Sequence, residues 1–321
     1  MLEIRKYQET LKKDWDQFIA DSQASSILFF RNFMEYHADR FQDFSLVILE
    51  DDKILGVLPA NTHDGILYSH QGLTYGGLIF SKKIDVETTS ACFHSLFDYL
   101  HQQNINKLIY KSCPDFVKSE PHSIEDFSFN RVNARLINQE ISFAINLKTP
   151  VHIQQRRKRG IKKASKLGLK IHLDESWEKF WENLENNLYT KFRTQPTHAL
   201  KEIHYLKKQF PDHIHLFTCH KDTDLLSGMV IFTNSNFVHA QYISSSEKGR
   251  ELGAVDFLMN HLLSHFSNYN FFSLGVCTNK ENNTINKGLM NWKEGFGAKP
   301  FIQNTYSLET KNFHLLENIF V

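Results

Sequence analysis

The chain has 321 residues, 37 of them basic and 36 acidic, with 41% hydrophobic and 23% charged, a profile that suits a globular protein with two cores of about 150 residues each. A net charge of +1 argues against a general nucleic-acid binder, which carries a domain-wide basic surplus. No apolar run of signal-peptide or membrane-spanning length occurs, and four cysteines without a C-x-x-C pair fit free thiols, so the expected location is cytoplasmic.

From the N-terminus, SLVILEDDKILGVLPANTHDGILYSHQGLTYGGLIF (residues 45–80) reads as strand, turn, strand, turn, strand, with DD and HDG as the turn signals. Its stretch SHQGLTYGG sets Gly72, Gly76 and Gly77 beside Ser69, His70 and Tyr75, a glycine density that suits a bulged strand or a groove approached closely by a ligand. Apolar residues three and four apart predict a helix over 85–103, and KLIYKSC predicts a strand after it.

The join to a second half falls at NLKTPVHIQQ (146–155). Then comes QQRRKRGIKKASKLGLKI (154–171), which holds Arg156, Arg157, Lys158, Arg159, Lys162, Lys163, Lys166 and Lys170 and no acidic residue. Without these eight, the chain keeps 29 basic residues against 36 acidic ones, so the positive charge is local. The run predicts a short helix to about Leu167, stopped by Gly168, whose charges cannot all be buried. It reads as a solvated face, as a source of potential for a phosphate-bearing substrate through Arg156 and Arg159, or as a nucleic-acid contact.

The second half repeats the first. IHLFTCHKDTDLLSGMVIFTNSNFVHAQYISSS (214–246) is again a three-strand meander, a helix is predicted over 251–267, and NFFSLGVC gives the strand. Gly228 of SGMVIF stands where Gly56 stands in LGVLPA. The expected fold is therefore α/β with mixed sheets, built as a duplicated unit over 1–147 and 148–321.

In VHAQYIS, alternation places His239, Gln241 and Ile243 on one face and Ala240 and Tyr242 on the other. His239 has the residue type for a general base and Tyr242 for protonating a leaving group, although a bonded core histidine and a packing tyrosine fit the same pattern. His261 and His265 lack the H-E-x-x-H register, so no metal site is expected. The absence of G-x-x-x-x-G-K-[ST], of G-x-G-x-x-G after a strand and of G-x-S-x-G removes kinase, dehydrogenase and serine-hydrolase readings.

Together with this organisation, SHQGLTYGG, HAQYISSSEKGRELGA (239–254) and NWKEGFGA (291–298) resemble the FemAB-like branch of the GNAT acyltransferase superfamily over nearly the whole chain. The resemblance implies two tandem GNAT-like units and an N-acyltransferase with acyl-CoA (acetyl-CoA) as co-substrate and no permanently bound cofactor. The acceptor would be a small-molecule amine, such as a sugar nucleotide or cell-envelope precursor, lying between the units where Tyr75 and Gln241 could reach it. Some relatives use aminoacyl-tRNA instead, and a non-catalytic binding module of the same fold is a further alternative. The family's helix-start phosphate site maps onto Lys248, Gly249, Arg250, Gly253 and Ala254, with Val255 where a glycine or alanine is usual. Lys293 of WKEGFG takes the family's lysine position, next to Trp292 in place of the usual phenylalanine, and is expected to stabilise negative charge from an exposed helix.

Overall fold

Two aspartates turn the first meander: Asp51 and Asp52 adopt left-handed φ of 48° and 62°, conformations that short polar side chains tolerate. Around them β1 (Leu2–Lys6), β2 (Leu46–Glu50), β3 (Lys53–Leu58) and β4 (Ile79–Phe80) form an antiparallel sheet in that order. The computed structural model describes residues 2–120, 124–173, 175–279 and 284–320. Helix α1 (Val86–Gln102) begins where Asp85 accepts the Thr88 N–H, and it buries Phe93, Leu96, Phe97 and Leu100 in the first core. Strand β5 (Lys107–Lys111) then runs parallel to Ile66–Tyr68.

After the join, α2 (Gln155–Lys166) ends before Gly168, at φ +70°. There follow β6 (Lys170–Leu173), α3 (Trp177–Phe192), α4 (Leu200–Gln209), β7 (Ile214–Lys221), β8 (Asp224–Thr233) and β9 (Phe237–Ser245). The chain continues through α5 (Glu247–Leu252), α6 (Ala254–His265), β10 (Phe271–Val276) and α7 (Lys287–Glu294). Strands β6 to β10 pair in sequence order, antiparallel except for a parallel β9–β10 contact, and Met229, Ile231, Val238 and Ala240 pack on Leu258, Met259 and Leu262 of α6.

The repeat shows in the glycines. Gly56 pairs with Ile48 and Phe80, Gly228 pairs with Thr218 and Ser244, and a register shift follows just beyond the Ile48 and Thr218 pairings. An aromatic ring lies over each: a Cβ at Gly56 would lie 3.1 Å from Phe80, and one at Gly228 2.5 Å from Phe180.

The division differs from the expected 147/148 boundary: one unit is Met1–Glu140 with Phe301–Val321 and the other Ile141–Pro300. Strand pairing explains the change. Thr305–Glu309 pairs with β5, and Leu308 and Leu316 complete the first core, whereas Ser142–Asn146 pairs with β10. The C-terminal segment thus pairs with a strand of the first unit. Among the described residues, no helix is long and apolar enough to cross a membrane.

Candidate functional site

In the second unit β9 and β10 pair in parallel only from Phe237–Phe271 to His239–Ser273. Past that point the strands diverge, and the chemistry-bearing residues gather there. His239 Nδ1 lies 3.0 Å from Ser273 Oγ, and burial together with the nearby Lys293 charge pulls its imidazole down to about 4, so it is neutral at pH 7.

Lys293 is not the exposed helix residue that was expected. It is 1% exposed, and its Nζ donates to Gly275 O and Val276 O, both at 2.8 Å, over the Phe143 ring at 5.8 Å. The reason is local: α7 turns its one fully buried position toward the end of β10, where carbonyls past the last pairing with β9 need donors. Burial lowers its ammonium to about 8, and the Cys277 thiol beside it opposes that shift. Cys277 is itself raised by burial, less so because Lys293 is close. Cys277 also lines a cleft of 640 Å³ with Val276, Thr278, Asn286 and Leu289 and with Phe192 and Thr194 from the end of α3.

The face assignment along β9 also changes. Val230 pairs with Tyr242 and Ile231 with Ala240, so Gln241 is the extra residue of a β-bulge. Ala240 packs in the α6 core, whereas Tyr242 lies on the opposite, α3 side with its ring 5.1 Å from Trp181. The slip separates Tyr242 from Ala240 and gives it the side on which His239 meets Ser273. Alternation alone has no means of locating a bulge.

Tyr242 OH lies 2.6 Å from His198 Nδ1 and accepts the His198 N–H at 3.1 Å. Burial pushes the phenol up to about 12, so it stays protonated at neutral pH. His198, buried in the loop between α3 and α4, was absent from the sequence reading; only Pro196 and the gap between two helical patterns marked that loop. Tyr242→Phe is expected to cost about 1–3 kcal/mol by leaving buried polar groups of His198 without the phenol. Urea denaturation measures the loss, and faster amide exchange at His198 distinguishes release of this loop from general weakening.

The helix-start residues are placed differently from a bare loop. Lys248 pairs with Asp224 at 2.6 Å, and the Gly249 N–H donates to Ser246 Oγ at 3.0 Å. Arg250 Nη1 donates to Ser245 O at 2.7 Å and to Asn187 Oδ1 at 3.2 Å. Gly253 breaks the segment into α5 and α6 at φ +75°, and Ala254 is buried. Helix α2 lies over this break: a Cβ on Gly253 would sit 2.8 Å from Gly160 O, and one on Gly160 would sit 2.8 Å from Asp256 Oδ2. Two glycines thus let the helices touch. The contact is locked by Asp256, whose carboxylate takes Arg157 Nη1 at 3.0 and 3.1 Å and Trp292 Nε1 at 2.9 Å. Arg156 and Arg159 remain exposed on α2.

In the first unit Tyr75 is buried, 3.4 Å from Ser26 Oγ, and Gly72, Gly76 and Gly77 pack tightly against His37, Ser69 and Tyr110. That stretch is a packed loop rather than a bulged strand.

Solved structures share this fold over nearly the whole chain. FemX matches with a TM-score of 0.70 at 10% identity, over 98% of this chain and 99% of its own. A C-terminal domain ascribed to a lysylphosphatidylglycerol synthetase of Agrobacterium fabrum gives 0.58 at 9% identity, over 94% and 92%. A tandem GNAT protein from the clavulanic acid biosynthesis pathway gives 0.50 at 10% identity, over 97% and 99%. No family model matches the sequence, and no curated protein matches it. The fold is that of tandem GNAT proteins in the FemAB-like form of FemX, and at such identities the likeness is one of fold.

Proposed function

We propose that the chain is a transferase that moves an acyl or aminoacyl group from an activated ester or thioester to an amine. The observation that carries this reading is the divergence of β9 and β10 past His239 and Ser273, with a buried cation at the end of β10. Such a gap holds an extended acyl arm with its carbonyl against backbone, and amine acylation then needs chiefly position and a field that favours the oxyanion. Lys293 supplies the positive potential. His239, neutral at pH 7, is in the form that takes a proton from the attacking amine, and Tyr242 is a protonated phenol on the same side of the strand. Gln241, at the bulge, hydrogen-bonds the Tyr242 phenol through its side chain.

The first donor to test is acetyl-CoA, with its phosphates near Lys248 and Arg250. A second reading, an aminoacyl-tRNA donor, is favoured by a specific observation: α2 covers the start of α6 at Gly160 and Gly253, where a diphosphate would otherwise meet the helix. Helix α2 also exposes Arg156, Lys158, Arg159, Lys162 and Lys166. Mass spectrometry of amino-sugar nucleotides and amine-bearing envelope precursors incubated with acetyl-CoA, and in parallel with aminoacyl-tRNA, separates the two. N-acylated product in the first arm supports the thioester donor and aminoacylated product in the second supports the ester. No product in either arm overturns the transferase reading and leaves a binding module.

A further inference from the structure

A second cleft in the same unit shares no lining residue with the one beside Cys277. Its volume is 430 Å³, and it runs along α3 to the start of α5. Its lining contains no hydrophobic residue: three cations, Lys179, Lys191 and Arg250, face one carboxylate, Glu182, among asparagine, threonine and serine side chains. On α3 these positions recur three and four apart, so one polar stripe of the helix forms the wall.

The wall is built rather than incidental. Asn187 Nδ2 donates to Asn183 Oδ1 at 2.7 Å, to Ser244 Oγ at 2.8 Å and to Ser245 O at 3.0 Å. Its Oδ1 holds Arg250 Nη1, so the guanidinium is oriented through one nitrogen, and its other donors make no further bond among the described residues. No carboxylate pairs with Lys179, Lys191 or Arg250 among the described residues, Glu182 included. Burial, and after it the proximity of Arg250, lowers the Lys191 ammonium.

Oriented cations without a carboxylate partner, set among amide and hydroxyl groups, match a doubly charged oxyanion attached to a hydroxylated group. Arginine's planar fork fits phosphate oxygens, and a lysine adds a point charge. An acyl chain or lipid tail finds no apolar wall here. We propose that the cleft between α3 and α5 binds a phosphate ester, held by Arg250 and Lys191, with Asn183 and Asn186 meeting the hydroxyls of the sugar that carries it. This extends the donor reading through Arg250 but is tested without turnover, so its failure and that of the transferase reading are separate results. The same chemistry is offered by the ribose phosphates of an acyl-CoA and by the diphosphate of a nucleotide-linked acceptor.

The experiment is isothermal titration calorimetry of the full chain with inorganic pyrophosphate, adenosine 3′,5′-bisphosphate and uridine diphosphate in turn. Binding of at least one is expected, weakened about tenfold or more by Lys191→Gln, as for loss of one charge-assisted contact. Asn186→Asp, at an exposed position, is expected to abolish it while the melting temperature stays put. Tighter binding of the bisphosphate assigns the cleft to the donor, and tighter binding of uridine diphosphate assigns it to the acceptor. Absence of binding by all three at millimolar concentration, or affinity unchanged in both variants, overturns the proposal.

Discussion

Between pH 8 and about 10.4 the native protein is expected to gain about 3 kcal/mol of folding stability that Lys293→Met does not gain. Lys293 is held at about 8 in the fold, below the unfolded lysine value. Across that window the unfolded chain carries a proton that the folded chain has released, so raising the pH favours folding. Below pH 8 both states are protonated and the contribution is flat. The four buried thiols are of opposite sign, because a buried thiol keeps its proton while an unfolded one loses it, so the quantity to read is the difference between the two proteins. Urea midpoints across pH 7 to 11 measure it, and parallel curves would show that Lys293 is not desolvated. At pH 7 the substitution leaves Gly275 O and Val276 O without their donor, which costs about 1–3 kcal/mol for each buried acceptor left unmet. In a folded sample turnover should still drop by about a hundredfold if the cation favours the oxyanion. A variant with native turnover would make Lys293 a strand anchor alone.

Local chemistry made much of this fold legible. Turn signals at DD and HDG, the helix stop at Gly168 and the match between Gly56 and Gly228 are properties of short windows, and each has its counterpart in the structure. The features that escaped depend on contacts far apart in sequence. Nothing near Gln241 announces a bulge, because it is set by how β8 pairs with β9 and decides which side Tyr242 takes. Lys293 reads as exposed because a charged residue on a helix usually is, and only the end of β10 makes its burial favourable. The exchange of terminal strands was hidden for the same reason: 299–309 has the pattern of any strand, and its partner β5 lies far back in the chain. His198 is a lone histidine until Tyr242 is placed beside it.

Helix α2 gives the sharpest contrast between neighbouring residues of one type. Asp256→Ala is expected to cost about 3–5 kcal/mol, because it leaves the Arg157 guanidinium, 15% exposed, without its carboxylate. Asp256→Asn should cost less, since the amide oxygen still accepts the Trp292 N–H and only the charge pairing goes. Replacing Arg157 by Met together with Asp256 by Leu should recover most of the loss of either single change, for an apolar pair avoids the desolvation that the ion pair has to offset. Arg156, Lys158 and Arg159, changed together to Gln, should shift stability by no more than about 0.5 kcal/mol each, because their charges are solvated. Urea denaturation of the four proteins tests this, and an Asp256→Ala loss as small as that of an exposed arginine would mean that α2 is not anchored through Arg157. The eight basic residues therefore divide by what they touch. One fastens the helix over the Gly253 break, and Lys163 bonds Glu251 O at 2.9 Å. The others keep their charge in solvent, where a phosphate-bearing partner would feel it within about 8 Å at physiological salt.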